Sequence, residues 1–293
     1  MKSETFGHQK TRPLAETNWL VDRLHTPDLR IVDCSVMLQV NDDGSRKYHS
    51  GKADWEAGHI PGCTFIDILA DLGPRYDPTV PLMAPLDDFA KAMEACGIGD
   101  GNQVVLYDRS NHAWAACIWW MLRVCGFDNA AVLNGGWQKW TVEKRPVSTQ
   151  PAPYPHGSLT VKRQPHLMAT KQQVMAAISN DKTKIINALP ADNHSGEVVR
   201  FPRPGRIAGS VNVDCDLVTD PGAHTFLPED RLRELFDSVD ALNVKRVITY
   251  CGGGVAASLD ALTVTLLGGP DVAVYHGSLA EWTEDPDLPM ETG

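Results

Sequence analysis

Val247-Ile248-Thr249-Tyr250-Cys251-Gly252-Gly253-Gly254-Val255-Ala256-Ala257-Ser258 decides how the rest of the chain is read. The β-branched and aromatic residues up to Tyr250 fit a buried strand, and the Ala-, Leu- and Val-rich run over residues 255–267 fits a helix. Cys251 therefore falls on a strand-to-helix turn. Three successive glycines let the backbone fold tightly around the sulfur and turn amide N–H groups inward, and the helix N-terminus adds a partial positive charge. Both effects favour a thiolate. The same amides suit a persulfide, Cys–S–S⁻, whose outer sulfur needs donors and room. Most free cysteines are buried and inert, but one that opens a triple-glycine turn between strand and helix has the surroundings of a reactive thiol.

At 293 residues the chain has the length of two domains on a prior of about 150 residues each. A formal net charge of −10 argues against a sequence-independent nucleic-acid binder, so an anionic substrate needs a local positive pocket. Residues 1–10 lack the apolar core of a signal peptide and read as a loose tail. The longest apolar stretch, residues 113–122, is far short of the ~20 residues that span a bilayer. A cytoplasmic protein with no membrane or nucleic-acid partner is the expectation. The seven cysteines, Cys34, Cys63, Cys96, Cys117, Cys125, Cys215 and Cys251, include no Cys-x-x-Cys pair, so neither a disulfide framework nor a zinc site follows. Cys117 and Cys125 lie in an apolar helical run and read as core.

Strands and helices alternate along the chain, which argues for α/β architecture with a mainly parallel sheet. A strand ending on Asp33, the turn cluster Asn41-Asp42-Asp43-Gly44-Ser45, an amphipathic helix with Leu86, Phe89, Ala90 and Met93 on one face, and a strand over residues 103–107 follow in order. The second half then repeats the first. Arg30-Ile31-Val32-Asp33 parallels Lys184-Ile185-Ile186-Asn187, and Gly58-His59-Ile60-Pro61-Gly62 parallels Gly205-Arg206-Ile207-Ala208-Gly209. Val105-Leu106-Tyr107-Asp108 parallels Ile248-Thr249-Tyr250-Cys251. Asn134-Gly135-Gly136-Trp137-Gln138-Lys139-Trp140 parallels His276-Gly277-Ser278-Leu279-Ala280-Glu281-Trp282. A duplicated domain explains all four pairs. Residues 143–165 carry Pro146, Pro151, Pro153, Pro155 and Pro165 and read as an extended connector. The expected division is residues 1–145, a connector over 146–166, and residues 167–293. The first copy has Asp108 where the second has Cys251, so the candidate nucleophile belongs to the second copy. The first domain is then a wall of a cleft. His59 reads as a loop anchor, and the tryptophans Trp114, Trp119, Trp120, Trp137 and Trp140 read mostly as core.

The motif Tyr250-Cys251-Gly252-Gly253-Gly254-Val255-Ala256-Ala257, with Gly205-Arg206-Ile207-Ala208-Gly209-Ser210-Val211-Asn212-Val213 before it and Tyr275-His276-Gly277-Ser278-Leu279-Ala280-Glu281-Trp282 after it, resembles the catalytic domain of a two-domain rhodanese or mercaptopyruvate sulfurtransferase. The N-terminal half is similar to that family's non-catalytic partner domain. The resemblance implies two tandem rhodanese-type α/β domains and sulfur transfer through a Cys251 persulfide, with Gly252, Gly253, Gly254 and Val255 as the amide cradle. The implied donor is thiosulfate, slightly favoured, or 3-mercaptopyruvate. The acceptor is cyanide, a thiol or a protein, and no metal or organic cofactor is required.

The donor anion needs cations. Arg203 matches the substrate-binding arginine of the family's Pro-Arg-x-Gly segment, with Arg200 and Arg206 beside it. The loop lacks the basic side chains of thiosulfate-preferring members, which resemble Cys-Arg-Lys-Gly, and Gly253 lacks the hydroxyl of the mercaptopyruvate-preferring Cys-Gly-Ser-Gly. The family's second carboxylate-binding arginine falls on Asn193 or a neighbour, leaving His194 and Ser195 as candidates to replace these functions. A Cys-x₅-Arg phosphatase is disfavoured because the arginine position is Ala257, and a nucleotide loop because its Lys-Ser/Thr ending is missing. A persulfide carrier or regulatory module fed by a partner protein is the alternative to an enzyme.

Overall fold

The computed structural model describes residues 12–41, 46–72, 84–152 and 154–293. The tail at residues 1–10 and most of the 41–45 turn cluster lie outside these. The chain forms two compact units, the first mainly from residues 12–163 and the second mainly from residues 164–293.

In the first unit the elements run β1 (Leu14–Ala15), α1 (Thr17–Val21), β2 (Leu29–Asp33), β3 (Val36–Val40), β4 (Arg46–Ser50), α2 (Lys52–Ala57), β5 (Cys63–Phe65), α3 (Ile68–Asp71), α4 (Leu86–Ala95), β6 (Gln103–Tyr107), α5 (Ala113–Val124), β7 (Ala130–Leu133) and α6 (Gly136–Val142). Five strands form a parallel sheet in the order β1-β7-β6-β2-β5, and β3 pairs antiparallel with β4. Strand β6 lies at the centre. Val104 to Tyr107 are buried on both faces, as a helix-covered parallel strand requires. The amphipathic α4 buries Phe89, Ala90 and Met93, with Leu86 at the margin.

In the second unit the order is α7 (Lys171–Ala177), β8 (Thr183–Asn187), α8 (Ala191–Ser195), β9 (Arg206–Ile207), β10 (Val211–Asn212), a 3-10 turn (Cys215–Val218), α9 (Glu229–Asp237), β11 (Arg246–Tyr250), α10 (Val255–Leu266), β12 (Asp271–Val274), α11 (Ser278–Trp282) and β13 (Met290–Glu291). The parallel sheet runs β10-β8-β11-β12, and β13 pairs antiparallel with β9. Helix α7 starts at a capping box between Thr170 and Gln173, which satisfies two of its free N-terminal donors. Strand β11 is flanked by β8 and β12, so Cys251 leaves the carboxyl end of an inner strand. Parallel α/β sheets bind ligands at that edge.

The duplication read from the sequence extends to single atoms. Asp33 faces Tyr107 across β2 and β6, as Asn187 faces Tyr250 across β8 and β11. The Tyr107 hydroxyl accepts the Ile60 N–H at 3.5 Å, and the Tyr250 hydroxyl accepts the Ile207 N–H at 3.0 Å. In each unit one core cluster joins that tyrosine to a fully buried tryptophan, Trp140 in the first and Trp282 in the second. The indoles donate to the carbonyls of Pro146 and Pro289.

His59 anchors the chain that leaves the first unit. Its backbone exchanges hydrogen bonds with Ser148, its ring stacks on Trp55 at 4.4 Å, and its ring nitrogens meet the carbonyls of Trp55 at 2.7 Å and Gln150 at 3.0 Å. The described residues of 143–164 form no helix, and Tyr154 ties them to the unit by donating to the Gly62 carbonyl at 2.7 Å.

Candidate active site

Cys251 is buried, with 2% of its surface exposed, at the turn between β11 and α10. Gly254 is the N-cap of α10 and has φ of 90°, a left-handed conformation that glycine adopts without a Cβ penalty. That corner directs the Gly254 N–H to Cys251 Sγ at 3.1 Å. The sulfur thus meets an amide donor at the positive end of a twelve-residue helix.

The loop after β12 holds this turn from behind. Ser278 accepts the Cys251 N–H at 3.0 Å through its hydroxyl, which donates in turn to the Tyr275 carbonyl at 2.8 Å. Leu279 and Ala280 donate their N–H groups to the carbonyls of Cys251 and Gly252, each at 3.0 Å. With its own N–H, its carbonyl and the next carbonyl all bound, the cysteine backbone is fixed while its sulfur is left to the cradle.

The three glycines have different roles. At Gly254 a Cβ would collide with the His276 ring, which is buried with neither ring nitrogen hydrogen-bonded. Burial pushes that imidazole down to about 4, so it is neutral at pH 7. At Gly252 a Cβ would come within 2.8 Å of Phe201 Cζ, whereas at Gly253 it would meet nothing within 4 Å. Further along α10, Asp260 is fully buried with neither carboxyl oxygen partnered, and burial raises its carboxyl well above the usual range.

The sequence-predicted cations and polar groups are held by contacts of their own. Arg203 is part-buried and donates through Nη1 to the carbonyls of Asp285 at 2.9 Å and Leu288 at 2.8 Å. Arg206 donates through Nη1 to Gly293 O at 2.6 Å and to the His194 carbonyl at 3.5 Å, and its Nη2 lies 3.5 Å from the Glu291 carboxylate. Arg200 is exposed. His194 Nδ1 sits 3.3 Å from Asn187 Nδ2, and burial together with the Arg206 charge pushes its imidazole down to about 4. The Ser195 hydroxyl donates to the Asp192 carbonyl at 3.1 Å and accepts the Glu197 N–H at 3.3 Å. Asn193 is buried and holds the Val198 carbonyl at 2.9 Å. These contacts fix the segment over residues 191–206, and it reaches the cysteine loop through Phe201.

Sequence reading missed Ser278, Phe201 and His276. For Ser278 a signal existed in the internal repeat. Its φ is 51°, and the aligned residue of the first unit, Gly136, has φ of 52°. A glycine in one copy thus marked a backbone position that the other copy fills with a strained serine and uses for hydrogen bonding. Phe201 and His276 are aligned with nothing that betrays a contact across loops.

Comparison with known proteins gives the arrangement a context. The family model for the rhodanese-like domain matches residues 16–143 and again residues 170–285. The chain is similar to the sulfur carrier protein TtuD of Thermus thermophilus, at 29% identity over 98% of this chain and 99% of that protein. Its identity to the thiosulfate sulfurtransferase of Rattus norvegicus is 30%, over 92% of each. The crystal structure of SseA from Escherichia coli, described as a 3-mercaptopyruvate sulfotransferase of rhodanese fold, superposes with a TM-score of 0.80 at 27% identity, covering 92% of this chain and 99% of that one.

Proposed function

The chain belongs to the rhodanese-like sulfurtransferase family, and from that premise we propose that it transfers sulfane sulfur through a persulfide on Cys251. The observation that carries this reading is the Gly254 N–H aimed at Cys251 Sγ at 3.1 Å from the start of α10. Attack by a thiolate there on the outer sulfur of thiosulfate forms a Cys251 S–S bond, breaks the donor S–S bond and releases sulfite. With 3-mercaptopyruvate the C–S bond breaks and pyruvate leaves, the thiol proton ending on its methyl carbon. An acceptor nucleophile then takes the outer sulfur and returns Cys251 as thiolate. Splitting the transfer into two half-reactions makes the kinetics ping-pong.

The amides of residues 252–255 stabilise the outer sulfur in this scheme, and no metal or organic cofactor takes part. Arg203, which is part-buried and spends only Nη1 on the Asp285 and Leu288 carbonyls among the described residues, is the first candidate for the donor anion, with Arg206, His194 and Ser195 as its supports. The division into a first domain over residues 1–145 and a catalytic domain over 167–293 is part of the same proposal. A second reading, a carrier loaded by a protein partner, is favoured by the bare rim of a loop with three glycines. Steady-state assays with cyanide as acceptor separate the two. Parallel double-reciprocal lines with thiosulfate or 3-mercaptopyruvate support the enzyme, and no thiocyanate from either donor supports the carrier. Arg203→Ala should raise the donor KM more than the acceptor KM, and an unchanged donor KM removes Arg203 from the site.

A further inference from the structure

The side-chain space at the first rim position of the cysteine loop is filled from elsewhere in the chain. Gly252 has no side chain, and the position its Cβ would take lies 2.8 Å from Phe201 Cζ. Phe201 comes from the segment between α8 and β9, and packs against the core that contains Tyr250, Tyr275 and Trp282. Those three aromatic residues are at most 1% exposed, as rings needed only for packing are. Phe201 is only partly buried, and its Cζ lies beside Gly252 of the loop that carries the sulfur. The same segment exposes Val198 and Val199, at 37% and 59%. The Val198 carbonyl is held by buried Asn193, so this stretch is tied to the body of the unit.

Resting on the persulfide reading above, we infer that Phe201 is a specificity-determining residue for the sulfur acceptor, favouring thiols with a planar apolar body over small hydrophilic ones. An aromatic thiol approaching the outer sulfur can lay its ring against Phe201 in an offset or edge-to-face contact, which no glycine of the loop could offer. In the transfer the acceptor thiol passes its proton to the outer sulfur of Cys251–S–S⁻, and the resulting thiolate attacks that sulfur. A bond forms between the acceptor sulfur and the outer sulfur, and the bond from that sulfur to Cys251 Sγ breaks. Cys251 leaves as a thiolate facing the Gly254 N–H, and the product is an aryl persulfide, ArS–SH. One negative charge enters and one remains, and no oxidant is needed.

The test uses the full chain loaded with persulfide from thiosulfate or 3-mercaptopyruvate, with loading followed by intact mass. Transfer rates to thiophenol and to 2-mercaptoethanol are each divided by the rate of the same thiol with a small-molecule persulfide. The expected result is a preference for thiophenol of about three- to tenfold over that reference, the range that one aromatic contact supplies. In Phe201→Leu, which keeps an apolar side chain in the core, the preference falls to within about twofold of the reference. A loaded wild-type protein with no preference overturns the inference whether or not the variant folds, and so does a preference that survives Phe201→Leu. A wild-type protein that never loads overturns the persulfide reading, and this inference with it.

Discussion

The turns that follow β6 and β11 occupy the same place in the duplicated fold and hold their central group by opposite means. After β6, Asp108 accepts backbone N–H groups of Ser110 at 2.9 Å, His112 at 3.1 Å, Trp114 at 3.1 Å and Ala115 at 3.0 Å, and the Ser110 hydroxyl at 3.1 Å. After β11, Cys251 Sγ faces the Gly254 N–H, and the loop ahead of the helix is one residue shorter. Both loops end on a left-handed N-cap, His112 at φ of 74° and Gly254 at φ of 90°. The strand-to-helix turn therefore aims backbone N–H donors at its central side chain in both units. In the first, that side chain is a carboxylate. The next residue, Arg109, is paired with Asp33 at 3.2 Å and lies over Trp137 at 4.2 Å. In the second, three glycines follow the cysteine, and the Gly254 N–H meets its sulfur.

The contrast can be broken most sharply at its two central residues. Cys251→Ser should lower sulfur transfer by at least about a thousandfold, because a hydroxyl is not appreciably ionised at neutral pH and holds no sulfane sulfur. Retained turnover in a cyanide assay would remove Cys251 from the mechanism. Asp108→Ala should leave Cys251 chemistry in place but destabilise the first unit by about 3 kcal/mol, since it strands several buried N–H groups at once. Urea unfolding reads that loss, and a change under about 1 kcal/mol would show that the carboxylate does not organise its loop.

Smaller effects separate the glycines. Gly254→Ala combines a left-handed conformation with a clash against His276, so a loss of about 2 kcal/mol and slower persulfide formation are expected. Gly253→Ala meets open space without a positive φ and should stay within about 0.5 kcal/mol of wild type. Equal losses at the two positions, measured by thermal unfolding, would contradict the distinction.

A separate test concerns acid. His276 stands where the first unit has Asn134, whose amide donates to Glu16 at 2.8 Å. The folded His276 is neutral down to about 4, whereas unfolded chains take up that proton near pH 6.5. Its contribution is therefore constant above pH 6.5 and is lost as pH falls through 6.5 towards 4, by at most about 3 kcal/mol. His276→Asn should flatten that part of the stability profile relative to wild type. Superimposable profiles would mean that the ring is not buried as a neutral base.

The fold was legible because its signals are local and repeated. Val104 to Tyr107 and Val247 to Tyr250 read as buried strands from β-branched runs alone, and four aligned segments disclosed the duplication before any contact was known. Cys251 was legible because glycines on one side and a strand on the other leave a side chain few other uses. The surroundings were not. Arg203 stands out in sequence as a cation close to a family motif, yet its Nη1 caps the carbonyls of Asp285 and Leu288, more than eighty residues away. Phe201 and His276 reach the cysteine loop only through tertiary packing, which periodicity and spacing do not encode.

The most direct test of the central claim is intact-mass spectrometry of the protein after incubation with thiosulfate or 3-mercaptopyruvate, repeated after cyanide. The account predicts a gain of one sulfur, ~32 Da, that maps to Cys251, disappears with cyanide and is missing in Cys251→Ser, because this thiolate with its amide cradle attacks the donor. A wild-type protein that gains no sulfur from either donor, or that gains it on another cysteine, would contradict the account.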